Sequence, residues 1–504
     1  MLALRELVLI VRKNRLLAPD LANFAQSEGT NFSEYFWGVS EGKFRTDQEA
    51  AQAIYGKEKQ SPAFQKFRKD FKKKLINHLF FLNFEGQKIS DRQKAYYACY
   101  KDYAAMKILL GQNAWNAAVD LCFKILKKAR KFEFTDLVVD ITKTLRLYYS
   151  TREGNLKKYE KYHQEYLHYK EVLAVEEMAE ELYTDLVVRY VKSKSKEHEA
   201  QEKAKFYHNK LKKYLTNCSS YWCQLCGYLI ELASYSITAD YEKINQVCDR
   251  AISFFEAKDY QANVALQVFY YHKIVTKTQQ KDYESGKTTA ERGLNLVDEG
   301  SSNWFLYQEW FFLLSMHTGN YAMAFKIYLA VVKHKRYKFQ PAPNKEFWNI
   351  YEAFLYFLFL IGKLEGEEEK AVFEKFRYAK FLNNTPIFSS DKRGMNIPIL
   401  IAQTIILIAR QEFNKAMDKI ASLQRYTSRY LTHNDAFRSN CFIKMLVQIP
   451  ISSFHPVAVE RKAKKYVEKL RSEPMEIAEQ AREVEIIPYE DLWSIIVDVL
   501  GKQR

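Results

Sequence analysis

The sequence predicts an all-α protein assembled as a stack of helical hairpins. Three observations lead there: the scarcity of proline and glycine, a pattern of aromatic and small residues that recurs about every forty residues, and an apolar run of helix length ahead of most recurrences. The 504 residues include 10 prolines and 16 glycines, and none of the prolines falls between Pro62 and Pro341, a stretch of about 280 residues. A sandwich or barrel needs a turn every ~8 to 12 residues, and its turns draw on these two residue types. Long helices meet the composition instead. At 47% hydrophobic and 27% charged residues the chain is apolar enough to fold along most of its length. It is too long for one compact core, so an elongated array or several domains are expected.

The recurrence is an aromatic residue followed at +3, +7 and +10 by small or apolar residues. It occurs at Trp115, Ala118, Cys122 and Ile125, and again at Tyr241, Ile244, Cys248 and Ala251. Tyr321, Ala324, Tyr328 and Val331 repeat it, as do Phe413, Ala416, Ile420 and Leu423. That spacing puts all four positions on one helix face, the small residue admitting a neighbouring helix and the others filling the groove. The starts are separated by two or three multiples of about forty, so intermediate copies are expected near 156, 200, 283 and 364. Leu156, Tyr159, His163 and Tyr166 fit the first of these, and Ala290, Leu294 and Val297 fit the third in part. Apolar helices are expected at 222–235, 264–275, 304–314, 348–361 and 397–408, giving two helices per unit.

Gly319, Asn320, Tyr321, Ala324 and Tyr328 resemble the inter-helix turn and second-helix packing positions of the tetratricopeptide-like superfamily. The first helices here lack that family's regular Trp, Leu, Gly, Tyr series, no proline closes each unit, and the period is longer. The resemblance covers residues 93–430. It implies a right-handed α-solenoid whose concave surface binds peptides or protein partners.

The ends depart from the rhythm. Residues 1–92 carry Gly29, Gly38, Gly42 and Gly56 and read as a small helical N-terminal domain. Its clearest helix opens at Ser61 and Pro62, a capping residue followed by proline at the first helical position, and runs over 63–80. Phe67, Phe71, Leu75 and Leu79 line one face, while Lys66, Arg68, Lys69, Lys72, Lys73 and Lys74 line the other, diluted by Asp70. This basic face is a candidate partner contact. It is compatible with a solvated surface, with nucleic acid and with an acidic protein patch. Residues 431–504, divided by Pro450, Pro456, Pro474 and Pro488, read as a helical C-terminal region. Within 488–500, Leu492, Trp493 and Ile496 belong to a helix too apolar to stand exposed, so it either caps the array or docks on another subunit.

No motif for chemistry survives inspection. Gly286, Lys287 and Thr288 end like a phosphate-binding loop, but Lys281 stands where the first glycine belongs and no strand precedes it, so a turn between helices is expected. Cys223 and Cys226 form a lone C-x-x-C inside an apolar run, where packing accounts for them better than zinc does. The ten histidines form no metalloprotease or deaminase pattern. No catalytic residue, cofactor or metal is therefore assigned. The 7 cysteines, odd in number and in no framework spacing, suggest free thiols and a cytoplasmic protein. Residues 1–15 place the apolar run before Arg12, Lys13 and Arg15, the reverse of a signal peptide, and no apolar run is long enough to span a membrane. The net charge of +16 is spread along the chain.

The function expected from these features is a non-enzymatic scaffold or adaptor that binds protein partners, itself included, within a multi-subunit complex. The alternative is a helical-repeat protein that binds RNA or DNA through basic faces and stacked tyrosines such as Tyr159, Tyr162, Tyr166 and Tyr169, which are interleaved with Lys161 and Lys170.

Overall fold

A computed structural model describes residues 1–13, 31–44, 46–56, 61–82, 89–192, 197–236, 240–383, 393–430, 437–473, 475 and 485–502. Among them every extended regular element is an α-helix, joined by one short 3-10 turn at Tyr337–Phe339. The chain forms two compact units, Met1–Leu173 and Ala174–Arg504.

The first unit opens with α1 (Leu2–Lys13), α2 (Asn31–Glu41), α3 (Asp47–Tyr55) and α4 (Pro62–Leu79). Their shared core is Leu4, Val8, Val11, Tyr35, Phe36, Val39, Ala50, Ala51, Phe64, Phe67, Phe71 and Leu75. Thr46 and Glu49 form a reciprocal capping box at the start of α3, which satisfies amide groups that the first turn leaves without partners. Then come α5 (Asp91–Gly111), α6 (Trp115–Phe132), α7 (Thr135–Thr151) and α8 (Leu156–Lys192), the boundary between units falling within α8. Neither glycine nor proline interrupts 156–192, so one helix of 37 residues stands where a forty-residue hairpin was expected. Its buried residue in the first unit is Tyr162, not the predicted Leu156, which is 69% exposed.

The second unit continues with α9 (Glu197–Leu215), α10 (Tyr221–Ser236), α11 (Tyr241–Glu256), α12 (Asn263–Gln279), α13 (Tyr283–Asn295), α14 (Ser302–His317), α15 (Tyr321–Val332) and α16 (Ala342–Leu360). Two short helices follow, α17 (Glu367–Phe373) and α18 (Tyr378–Asn383), where the sequence reading expected one helix near 364. The last five are α19 (Arg393–Ala409), α20 (Phe413–Tyr430), α21 (Phe437–Ile451), α22 (Pro456–Ser472) and α23 (Tyr489–Lys502). Helices consecutive in sequence pack against each other from α9 to α16 and from α19 to α23. Alternate helices also meet, α12 with α14, and α16 passes over the two short helices to pack on α19.

One turn recurs. Asn113, Lys281, Gly319 and Gln411 all have left-handed backbone, with φ of 60°, 55°, 74° and 61°. The amide of the following residue bonds back five residues: Ala114 to the Leu109 carbonyl, Asp282 to Lys277, Asn320 to Ser315, and Glu412 to Leu407, at 2.8 to 3.0 Å. The next helix begins one residue later, on Trp115, Tyr283, Tyr321 or Phe413. This Schellman-type closure consumes carbonyls that the ending helix would leave unpaired and reverses the chain in three residues. Short connections of this kind favour antiparallel neighbours.

The small residues then set how closely helices approach. In α13 the full set is Tyr283, Gly286, Ala290 and Gly293, a copy of the aromatic, +3, +7, +10 pattern that the sequence reading registered only in part. A methyl group at Gly286 would lie 2.6 Å from Leu314 Cδ2, and one at Gly293 would lie 2.1 Å from Cε1 of the Tyr307 ring. Tyr307 cannot move away easily, since it is 2% exposed and its hydroxyl donates to the Gln267 carbonyl at 2.5 Å. Gly293→Ala is therefore expected to cost about 1–3 kcal/mol through overpacking. Gly111→Ala, where an added methyl meets nothing within 4 Å, should be neutral or slightly stabilising. Urea denaturation of the two variants beside the parent chain measures the difference, and equal midpoints would refute it.

Candidate interaction surfaces

The helices are tied together by side-chain bonds whose sequence separation repeats. In the first unit Arg92 donates to the Phe132 carbonyl, Tyr100 to Asp136, Tyr103 to Asp140, and Arg130 to Glu165, spanning 40, 36, 37 and 35 residues. In the second, Trp222 Nε1 donates to Glu180 at 2.8 Å, Asn303 to Gln267 at 3.0 Å and Tyr351 to Glu309 at 2.8 Å, spanning 42, 36 and 42 residues. Apart from Arg92, which reaches the end of the next helix, each of these bonds joins alternate helices, so the forty-residue period of the sequence is also a period of contacts. The helices that open successive pairs also expose apolar side chains: Trp222 on α10, itself the donor of one of these bonds, Val264 on α12 and Leu306 on α14 are 39%, 53% and 37% exposed.

The basic face predicted on α4 divides in two. Ser61 Oγ accepts from the Phe64 amide at 3.3 Å and Pro62 takes the first helical position, which starts the helix where its sequence signal lies. Phe64, Phe67, Phe71 and Leu75 are buried among Phe32, Tyr35 and Tyr55. Of the six basic residues, two are engaged with the fold. Arg68 pairs with Asp47 at 3.2 Å, and the Lys74 ammonium sits 4.2 Å from the centre of the Phe32 ring. Burial, and then the Asp47 charge, push the nearby Tyr35 hydroxyl up to about 12. Lys66, Lys69, Lys72 and Lys73 are exposed and make no ion pair among the described residues.

Two features escaped the sequence reading. Ile76, Phe80 and Phe81, at the end of α4, are 41%, 49% and 64% exposed. A second basic face lies on α22, where Arg461, Lys464, Lys465, Lys469 and Arg471 are exposed while Val459, Ala463 and Leu470 are buried. The charge run in 461–471 and the continuation of the α4 stripe to Phe80 were the available signals.

Leu492, Trp493 and Ile496 are not surface residues. They are 0%, 6% and 1% exposed, and α23 packs on α19, α21 and α22 of its own chain. Their apolar density reflects three neighbours instead of one. Arg438 of α21 pins this arrangement: it donates to Glu485 at 2.6 and 3.1 Å, to Glu490 at 2.7 and 2.9 Å, and to the carbonyls of Leu470 and Glu473 at 3.0 and 2.7 Å. Burial opposes the guanidinium charge, but the two carboxylates hold it above its ordinary range. Glu485 also accepts from the Tyr489 amide at 2.9 Å, which caps α23.

The remaining sequence candidates are absorbed by packing. Gly286, Lys287 and Thr288 lie within α13, not in the turn expected for them, because Asp282 caps that helix by accepting from the Ser285 amide. Cys223 and Cys226 are buried in α10; a hydrogen bond with Cys218 and then burial raise the first thiol, and burial raises the second to about 12. Among the described residues no three His, Cys, Asp or Glu side chains form a group able to hold a metal. Of the tyrosines considered for base stacking, Tyr162 is buried against Tyr149 with ring centres 5.6 Å apart, and Arg146 covers Tyr166 at 4.5 Å.

His317, at the end of α14, shares a 2.5 Å hydrogen bond with the Glu485 carbonyl and is 2% exposed. Burial lowers its pKa from 6.5 to about 4. The unfolded chain therefore binds more protons between these values, and stability falls as pH drops from 6.5 towards 4, by on the order of 3 kcal/mol from this group. His317→Gln, which keeps an N–H donor, should flatten the loss between pH 6.5 and 5 in urea titrations. An unchanged slope would show that His317 is not its source. No protein-family model, no curated protein and no solved structure matches the chain.

Proposed function

We propose that the protein is a non-enzymatic scaffold or adaptor, a tetratricopeptide-like α-solenoid that holds protein partners along its first helices and takes part in a multi-subunit assembly. The observation that carries this reading is the exposure of Trp222, Val264 and Leu306 on three successive first helices, at intervals of 42 residues. Apolar side chains repeated at the period of the fold offer spaced contacts to one bound chain, since packed helices lie ~8–10 Å apart and an extended peptide covers that distance in about three residues. The cross-links from Asn303 to Gln267 and from Tyr351 to Glu309 hold the neighbouring helices in place, which lowers the ordering cost of binding. The intrinsically covered rings of Tyr162 and Tyr166 make base stacking the weaker use of this chain.

Affinity purification from the source cells, with and without nuclease, tests the proposal. Protein partners should survive both nuclease and a rise from roughly 50 to 200 mM salt, over which phosphate-driven binding falls steeply. Val264→Glu with Leu306→Glu, both at exposed sites, should remove them without changing the helical content measured by circular dichroism. Undiminished recovery with the double variant, or partners lost to nuclease, would overturn the reading.

A further inference from the structure

The outer face of α4 has a composition that selects a partner. Lys66, Lys69, Lys73, Ile76 and Phe80 follow one another at +3, +7, +10 and +14, a single stripe about 21 Å long at 1.5 Å per residue. Phe80 retains right-handed helical backbone, so the stripe is continuous to its end. Lys72 flanks its basic half and Phe81 extends its apolar half. Asp70 is the one acidic residue in the helix, and the four lysines that face out have no ion-pair partner among the described residues. The opposite side of α4 is fully committed to the aromatic core of Phe64, Phe67 and Phe71, so the stripe is held on a fixed support.

We infer that this stripe is a docking site for an acidic amphipathic helix of a partner protein, with carboxylates over Lys66, Lys69 and Lys73 and apolar side chains over Ile76, Phe80 and Phe81. The inference rests on the adaptor reading and gives one of its contacts a partner chemistry. Its basis is the lengthwise division of the stripe into a basic half and an apolar half. A phosphate backbone would satisfy the lysines and leave three large apolar side chains in water. A helix lying on an anionic membrane needs an apolar face along its whole length with basic flanks, and here the apolar residues occupy one end. An amphipathic helix meets both halves, because its side chains recur at the same three and four residue intervals.

Fluorescence anisotropy with the full chain tests this. The probes are a dye-labelled peptide with glutamates at helical spacing in one half and Leu and Phe in the other, a scrambled peptide of equal composition, a mixed-sequence RNA oligonucleotide, and phosphatidylserine vesicles scored by co-sedimentation. The patterned peptide should bind best, and K69E/K73E and I76S/F80S should each weaken it by roughly tenfold or more, since both halves contribute. Tighter binding of RNA or vesicles, equal binding of the scrambled peptide, or indifference to I76S/F80S would overturn the inference. All four substitutions are at exposed positions, and circular dichroism checks that the variants stay folded. Failure of the peptide while partners are still recovered from cells would remove this site and leave the adaptor reading standing. Absence of partners in that recovery would remove the adaptor reading itself.

Discussion

The three-residue turn with a left-handed middle residue is the constraint on which much of this structure depends. It ends one helix on a satisfied carbonyl, starts the next on an aromatic ring, and returns the chain alongside itself before another residue is spent. Once the second helix starts there, its +3, +7 and +10 positions share one buried face, and small residues at those places decide how near the neighbouring helices come. Gly286 and Gly293 bring α13 to within contact of Leu314 and Tyr307. From that approach follow the polar cross-links between alternate helices, which need their partners held within about 3 Å. Asn, Lys and Gln occupy the left-handed position in three of the four turns that precede an aromatic, and Glu133 does so in a like turn before Thr135, whereas Gly319 has no side chain to strain. The closure is evidently worth more than that local cost.

Much of the helical organisation was legible because the signals were local. Trp115, Tyr241, Tyr321 and Phe413, singled out by spacing, are the first residues of α6, α11, α15 and α20. Ser61 and Pro62 likewise marked α4. The copy at Tyr283 was blurred because its small positions are glycines, which in isolation read as turn formers, whereas here they are the places where helices touch. The missing hairpin at 156–192 has the opposite origin: a sequence without breakers simply continues as helix.

The candidate surfaces were less legible, since exposure is decided by neighbours distant in sequence. The apolar pattern of 488–500 could not say whether its covering came from the same chain, and Arg438, 47 residues before Glu485, carries no sequence mark of their pairing. Charge shows the same limit. The excess of lysine and arginine is spread evenly in sequence, yet in space many are neutralised locally, as in Lys107 with Asp140, Lys124 with Asp102 and Arg250 with Glu231. The faces of α4 and α22 keep several cations without such pairing, so folding concentrates what the sequence disperses.

All seven cysteines are free and buried, and they are distributed over α5, α6, the segment leading into α10, α10 itself, α11 and α21. A thiol sealed in a helix interface reacts only when that interface opens, because burial both shields it from reagent and, at Cys99, Cys122 and Cys226, holds the thiol above its ordinary pKa. In a protein whose helices pack mainly on their sequence neighbours, opening need not be global. The cysteines thus form an internal record of breathing: the order in which an alkylating reagent reaches them reads out, segment by segment, where neighbouring helices part first.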